Sequence, residues 1–201
     1  MAGSGTIACG LAACASTLGE VRVLARSDTS AWRAEEQVEA QAKKLEGAVA
    51  GRVKVTTDPG KLAGCDFVVE AIAEDPDAKG ELLASLAEAA PGADLASTTS
   101  SLSIADLGDR AGVADRVFGL HVFNPVPRME LVELCIPVGA RKGLAERARA
   151  WCEALGKVAV EVPDSTGFVV NRLLFPYLFD AVRFMEESGL SAAAVDDCMR
   201  L

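Results

Sequence analysis

The sequence has a single histidine, and its six cysteines include no CxxC pair. Structural zinc sites are built from clustered cysteine and histidine, so this scarcity makes a zinc site improbable. Scattered cysteines without paired spacing are typical of reduced thiols in a cytoplasmic protein. We therefore expect no metal site and a cytoplasmic location.

The chain also lacks long apolar runs and an excess of positive charge. No run approaches the ~20 residues of a membrane-spanning helix, and the first residues lack the basic and apolar parts of a secretion signal. The net charge of −9 disfavours nucleic acid and anionic membranes as main partners. Because 50% of the residues are hydrophobic and 24% are charged, the composition predicts a soluble, packed globular protein.

Strand-like and helix-like segments alternate, which indicates a parallel, doubly wound, Rossmann-type α/β sheet. Apolar residues recur at helical spacing in 142–155, for example, and Gly156 then marks the end of that helix. The predicted strands are 20–25, 52–56, 65–71, 94–97, 116–123, 130–136 and 158–162. The predicted helices between them are 5–18, 30–49, 77–90, 103–111 and 142–155.

The pattern changes near Pro163. The residues at 164–166 are Asp, Ser and Thr, all of which cap helices, and 166–188 is typical of one long apolar helix. We therefore expect an α/β domain at 1–163 and the start of an all-helical domain at 164–201.

Both ends of the sequence look cut. The glycine-rich turn at Gly3 should follow a buried central strand, and none precedes it. The last helical segment stops at Leu201 without a cap or a polar tail. The sequence therefore predicts that the first strand is missing and that the helical domain is truncated.

The segment 3–8 (GSGTIA) follows the G-x-G-x-x-A pattern at the start of an apolar helix. In dinucleotide-binding domains the first glycine makes a tight turn and the second lets a pyrophosphate approach the backbone at the helix N-terminus. Small residues also serve ordinary turns, but the strand that follows after one helix favours the binding interpretation. The residues predicted to bind the cofactor here are Gly3, Gly5, Thr6 and Ile7.

The next strand ends in Arg26 and Ser27, with Asp28 close behind. A carboxylate at that strand end would hold the ribose 2′-hydroxyl of NAD, whereas an arginine and a hydroxyl suit the 2′-phosphate of NADP. The alternative is that Arg26 is a solvated residue and Asp28 binds the ribose. The cofactor is therefore NAD or NADP, with NADP slightly favoured.

His121 ends a predicted buried strand, at the sheet edge where open α/β sheets bind ligands. Glu133 lies twelve residues later inside the apolar run 131–136, and a carboxylate there is costly unless it is paired. His121 is the obvious partner, although Arg128 or a lysine would serve in a purely structural role. A carboxylate beside an imidazole fixes its tautomer and favours its charged form, which suits proton transfer to and from a hydroxyl.

Two further polar signals are weaker. The loop 97–101 carries five hydroxyls at another strand end, although Ser101 or Ser103 could simply cap the next helix. Asn171 lies one turn into a strongly apolar helix, where a polar side chain wants a partner.

Four strings resemble the 3-hydroxyacyl-CoA dehydrogenase family, and the resemblance covers nearly the whole chain. They are VEAIAE at 69–74, TSSLSI at 99–104, HVFNPVPRMELVE at 121–133 and TGFVVNRLL at 166–174. The resemblance implies hydride transfer between a nicotinamide cofactor and a 3-hydroxyacyl-CoA/3-oxoacyl-CoA pair, with an acyl-CoA thioester as substrate. It also implies a homodimer for the full-length protein.

The resemblance further implies roles for individual residues. His121 would be the catalytic acid/base and Glu133 its orienting carboxylate. Ser100 and Asn171 would bind substrate oxygens near the nicotinamide. The residues that would line the cofactor site are Glu74, Lys79 and Asn124.

The chain departs from the family pattern at two internal places. Arg26 replaces the expected acidic residue, and the helical arm that helps to hold CoA looks shortened between Thr29 and Gly51. Two alternative functions therefore stay open: a cofactor-binding relative without turnover, and a 3-hydroxyacid dehydrogenase with a non-CoA substrate. The second uses a lysine as proton donor, and no lysine lies near Asn171.

Overall fold

The computed structural model describes residues 1–200, so Leu201, the last residue of the predicted helical domain, lies outside the described residues. The alternation of strands and helices is confirmed. The strands are β1 Val21–Leu24, β2 Val53–Thr56, β3 Phe67–Glu70, β4 Asp94–Ser97, β5 Val117–Val122, β6 Leu131–Cys135 and β7 Val158–Glu161. The α-helices are α1 Thr6–Ala15, α2 Asp28–Ala42, α3 Pro76–Ala89, α4 Ile104–Ala111, α5 Leu144–Ala154, α6 Val170–Ser188 and α7 Ala192–Arg200. Short 3-10 turns span Ala50–Arg52, Pro59–Leu62 and Ala114–Arg116.

The strands form a pair, β1–β2, and a five-stranded sheet in the order β3-β4-β5-β6-β7. Neighbours are parallel except β5 and β6, which run antiparallel. The sheet is therefore predominantly parallel, as predicted, with one antiparallel pair. Parallel neighbours need a crossover of a dozen or more residues, and the short, helix-free segment 123–130 permits only an antiparallel return.

The first three residues join the strand pair to the larger sheet. Ala2 forms parallel bridges with Leu24 on one side and Glu70 on the other. The Ala2 amide donates to the Val69 carbonyl at 2.7 Å, and the Leu24 amide donates to the Met1 carbonyl at 2.7 Å. Ala2 is an isolated bridge and not part of a strand, and the absence of a first strand stays a prediction.

Helices cover the sheet with two separate apolar clusters, as expected for a doubly wound domain. One cluster joins the sheet to α1, α2 and α5, and the other joins it to α3 and α4. In the first cluster the Trp151 ring of α5 stacks on Phe67 of β3, with ring centroids 5.4 Å apart. Phe118 and Leu120 of the central strand β5 are fully buried.

The helical segment begins later than its sequence predicts. Gly167 and Phe168 have φ angles of 77° and 47°, left-handed values that an α-helix cannot include, so α6 starts at Val170 rather than at 166. Asp164, expected to cap this helix, instead accepts hydrogen bonds from the Ile104 and Ala105 amides of α4 at 3.0 and 2.9 Å. The domain boundary at 163 stays a prediction.

Candidate active site

The glycine-rich turn has the backbone that a dinucleotide needs. Gly3 has a φ of 130°, and a Cβ there would lie 2.3 Å from the Ala71 carbonyl oxygen, so only glycine fits. A Cβ on Gly5 would meet no atom of the described chain within 4 Å, which leaves its surface open to a ligand. Gly5 is also the N-cap of α1, whose first-turn amides have no acceptor within the helix. These features suit a pyrophosphate.

A cavity of about 1210 Å³ extends from this turn to the first turns of α6. This volume exceeds that of an ordinary small-ligand pocket, so there is room for a dinucleotide and a second molecule. The predicted site residues that line it are Gly3, Gly5, Thr6, Ile7, Arg26, Glu74, Ser100 and Asn171. The predicted site residues outside its lining are Ser27, Lys79, His121, Asn124 and Glu133.

Ser27 performs a structural task that the sequence did not indicate. It is the N-cap of α2, and its hydroxyl accepts from the Ser30 amide at 3.3 Å. The Ser30 hydroxyl in turn accepts from the Ser27 amide at 3.0 Å. This capping box places Arg26, on the cavity wall, immediately before a fixed helix start.

His121 and Glu133 form the pair that their spacing predicts. They stand directly opposite each other in the β5–β6 ladder, and opposite residues in antiparallel strands place their side chains on the same face. His121 Nδ1 lies 2.6 Å from Glu133 Oε2, with the two residues only 4% and 2% exposed. A carboxylate can only accept, so Nδ1 carries the proton and Nε2 is left to exchange one.

Aromatic rings confine the imidazole of His121. The rings of Phe123 and Phe168 lie 4.6 and 5.5 Å from it, centroid to centroid. Phe168 directly follows Gly167, which lines the cavity. The imidazole is thus packed next to the residues that line the cavity.

The second oxygen of Glu133 was not predicted to have a partner. Glu133 Oε1 accepts from the Val169 and Val170 amides at 2.9 and 2.8 Å. These amides belong to the N-cap and the first residue of α6, and the N-cap side chain makes no capping bond. Glu133 therefore caps α6 from the sheet, a contact between distant segments that no local sequence pattern indicates.

Glu74 organises the hydroxyl loop after β4. Its Oε1 accepts from Thr99 Oγ1 at 2.6 Å, the Ser100 amide at 2.9 Å and the Ser101 amide at 3.0 Å. Burial alone would raise the pKa of Glu74, but hydrogen bonds from these residues outweigh it and lower the pKa below 4.5. The Ser100 hydroxyl has no hydrogen-bond partner among residues 1–200 and remains available to a ligand in the cavity.

Lys79 lies behind Glu74 and does not reach the cavity. Its ammonium is 2.7 Å from Glu70 Oε1 and 3.5 Å from Glu74 Oε2, and its side chain is 1% exposed. Glu70 is fully buried and also accepts from Ser97 Oγ at 2.6 Å and the Ile72 amide at 2.7 Å. Sequence reasoning missed Glu70, although a carboxylate in the apolar strand predicted at 65–71 is the same signal that identified Glu133.

Asn124 is exposed in the β5–β6 connection, in a loop that buried groups hold in place. The Lys157 ammonium donates to the Val126 and Met129 carbonyls at 2.5 and 2.8 Å. A Cβ on Gly10 of α1 would lie 2.9 Å from Val126 Cβ. The helix that begins at the glycine-rich turn therefore packs directly against the loop that follows His121.

Within residues 1–200 no three His, Cys, Asp or Glu side chains are grouped as a metal site would require. In the same range no helix combines the length and the apolar character needed to cross a membrane.

The chain is similar to known proteins in both sequence and fold. Residues 1–165 match the profile of the 3-hydroxyacyl-CoA dehydrogenase NAD binding domain, and residues 167–201 match that of the 3-hydroxyacyl-CoA dehydrogenase C-terminal domain. The mitochondrial hydroxyacyl-coenzyme A dehydrogenase of Mus musculus is 44% identical over 138 residues, which are 68% of this chain and 44% of that protein. A probable 3-hydroxybutyryl-CoA dehydrogenase of Deinococcus radiodurans is 38% identical over 76% of this chain and 55% of its own length.

Among solved structures, (S)-3-hydroxybutyryl-CoA dehydrogenase PaaH1 from Ralstonia eutropha is similar with a TM-score of 0.91. It is 32% identical, and the match covers 100% of this chain and 75% of that one. The chain spans about half the length of the curated relatives it matches.

Proposed function

Because the chain belongs to the 3-hydroxyacyl-CoA dehydrogenase family, we propose that it transfers a hydride between a nicotinamide cofactor and C3 of a 3-hydroxyacyl-CoA thioester. One observation carries the proposal. The only imidazole of the chain, that of His121, is buried and hydrogen-bonded to the Glu133 carboxylate at 2.6 Å. It also packs against Phe168, the neighbour of Gly167, which lines the cavity.

The residues around the glycine-rich turn fit a dinucleotide. Gly3 and Gly5 allow close approach to the backbone, and the first-turn amides of Thr6 and Ile7 would donate to phosphate oxygens. Glu74 lines the same cavity and is charged at neutral pH, so it can accept from a hydroxyl of the cofactor. Bound nicotinamide would supply the site that accepts or donates the hydride.

His121 would move the proton of the C3 hydroxyl. In oxidation Nε2 takes this proton while Glu133 holds the proton on Nδ1 and balances the new positive charge. In reduction the same imidazole returns the proton. Ser100 and Asn171 line the cavity and would donate to the C3 oxygen and to the thioester carbonyl as negative charge develops.

Turnover of single and double variants of His121 and Glu133 in the complete gene product tests the mechanism. His121→Ala should reduce turnover by ~10²–10⁴-fold, because the proton transfer is lost. The His121→Ala, Glu133→Gln double variant should have a kcat little lower than that of His121→Ala, since the two side chains share the proton transfer. Cofactor binding should survive in all of them. Near-normal turnover of His121→Ala would refute the mechanism.

The substrate class is tested by oxidation of the reduced cofactor with acetoacetyl-CoA and with free acetoacetate. We expect turnover with the CoA ester. Turnover with acetoacetate alone would identify a 3-hydroxyacid dehydrogenase. Cofactor binding without turnover of either would identify a non-catalytic relative.

We further propose that Arg26 favours NADP over NAD. Arg26 lines the cavity, and a charge-assisted contact between a guanidinium and a 2′-phosphate is worth about 1.5–3 kcal/mol. Dissociation constants for NADPH and NADH should converge or reverse in Arg26→Asp. A wild type that already prefers NADH, with no change in the variant, would leave Arg26 as a solvated residue.

Two further properties are proposals. Homodimer formation is supported by the exposed apolar side chains of α6, such as Leu173 and Phe179, and sedimentation equilibrium of the complete gene product would test it. A cytoplasmic location is supported by six unpaired cysteines, and cell fractionation would test it.

A further inference from the structure

The start of α6 and the imidazole of His121 are both hydrogen-bonded to one carboxylate, that of Glu133. Glu133 Oε2 accepts from His121 Nδ1 at 2.6 Å, and Glu133 Oε1 accepts from the Val169 and Val170 amides at 2.9 and 2.8 Å. The residue is 2% exposed, so water cannot replace either contact. Glu133 thus belongs to the sheet, to the proton-transfer pair and to the start of the helical segment together.

Few other contacts fix the position of α6. None of its residues is buried, and its local sequence supplies no side-chain cap. The residue just before it, Phe168, is 2% exposed and contacts the imidazole. The attachment of α6 to the α/β part therefore lies in its first turn, around Glu133 and His121.

We propose that Glu133 is also a positioning residue that anchors α6, and through it brings Asn171 to the cavity beside the proton acceptor. Asn171 follows the two anchored amides directly and lines the cavity. A negative charge at a helix N-terminus satisfies free N–H groups and complements the helix dipole. One side chain would thereby set both the tautomer of the imidazole and the place of a substrate-binding side chain.

This double task explains why the residue is a glutamate. Both of its oxygens face N–H donors, and only a carboxylate accepts on both sides. A glutamine offers one acceptor oxygen, so its amide nitrogen must face either the imidazole or the two backbone amides. If the nitrogen faces Nδ1, the imidazole proton moves to Nε2, where it blocks acceptance of the substrate proton. If the nitrogen faces α6, donors oppose donors and the anchor is lost.

Hydrogen exchange of the backbone amides in 165–173 tests the anchor without reference to activity. Exchange at Val169 and Val170 should rise at least about tenfold in Glu133→Ala. Glu130→Ala is the matched control, because it removes an exposed carboxylate from the segment just before the same strand. Wild-type exchange at both amides in a folded Glu133→Ala would overturn the proposal.

If Glu133→Ala does not fold, Glu133→Gln decides. Faster exchange at the two amides, or a shift of the imidazole proton from Nδ1 to Nε2 in nitrogen NMR of the single histidine, supports the anchor. Wild-type exchange together with a wild-type tautomer overturns it.

The link to catalysis rests on the proposed function and is read separately. Glu133→Ala should raise KM for the acyl thioester as well as lower kcat, because Asn171 is displaced, whereas His121→Ala should act on kcat alone. Normal turnover in His121→Ala would refute the proposed function while leaving the exchange result intact. Equal KM in both variants would overturn the positioning of Asn171.

Discussion

The α/β part and the helical segment of this chain hold their conformations by different means. Strand β5 is buried along its whole length, and α1 buries every residue from Ala8 to Ala15. In α6 and α7, by contrast, no residue is buried, and large side chains such as Leu173 and Phe179 are 69% and 58% exposed. Packing on both faces of the sheet stabilises the α/β part, whereas the position of α6 is set mainly by contacts at its first residues.

The contrast shows how strongly the stability of a helix depends on the residues packed against it. Most helical stability in proteins comes from burying one face, and α6 buries none within residues 1–200. What ties α6 to the sheet is polar: the Glu133 carboxylate on its first amides, next to the buried ring of Phe168. The position of the whole segment therefore depends on the part of the molecule that we assign to proton transfer.

The largest effect is expected from the buried ion pair in the α/β part. Lys79→Met leaves the fully buried Glu70 without its cation and should reduce the free energy of unfolding by about 3–5 kcal/mol. Adding Glu70→Gln should recover much of this loss. Urea denaturation measures both, with Lys44→Met as an exposed control. A single variant as stable as the control would mean that water reaches this pair.

A smaller, pH-dependent effect on the free energy of unfolding is expected at Asp94, the first residue of β4. Asp94 is 2% exposed and accepts from Arg147 Nε at 2.6 Å and Arg141 Nε at 2.8 Å. Burial would raise the pKa of Asp94, but hydrogen bonds from Arg147 and Arg141 lower it below 3.8. Asp94→Asn should therefore cost about 1.5–3 kcal/mol at neutral pH.

The sign of the pH dependence follows from the lowered pKa. The contribution of Asp94 is complete above its unfolded pKa of 3.8 and is lost as the pH falls through the folded-state pKa. The stability gap between wild type and Asp94→Asn should therefore narrow as the pH is lowered below 3.8. A constant gap down to acid unfolding would show that the ionic contacts are not the source of the stabilisation.

The smallest effect should come from the helical segment. Phe179→Ser on α6 should change the free energy of unfolding of the 201-residue chain by less than about 0.5 kcal/mol, because the ring is 58% exposed. Leu120→Ala in β5 is the comparison and should cost about 2–5 kcal/mol. A core-sized loss in Phe179→Ser would mean that this face of α6 is covered in solution, and the contrast between the two parts would disappear.

Residues whose roles follow from local pattern could be predicted. His121 and Glu133 flank a short connection between two apolar strands, so a hairpin places them opposite each other. The glycine-rich turn, each strand and each helix of the α/β part also follow from periodicity and from the chemistry of the turns. The antiparallel direction of β6 was available from the same short connection, although the alternating pattern alone favours a parallel sheet.

Contacts between distant segments could not be predicted. No residue near Val169 or Val170 in the sequence indicates that their amides donate to Glu133 in β6. Likewise, no residue near Asp164 indicates that it caps α4 rather than α6. Lys79 is an intermediate case. The resemblance assigns it to the cofactor site, but it shares the buried face of α3 with Leu83 and Leu86 at helical spacing. Its burial was therefore readable from the sequence, whereas its partner Glu70 required the fold.

The stack of Trp151 on Phe67 gives the α/β part its own optical signal. Trp32, the other tryptophan, is 68% exposed on α2 and can be replaced by phenylalanine, which leaves a single indole that reports on the sheet and α5. The only tyrosine, Tyr177, lies on α6. Each of the two parts thus carries a different fluorophore, and their unfolding can be followed at separate wavelengths in one cuvette.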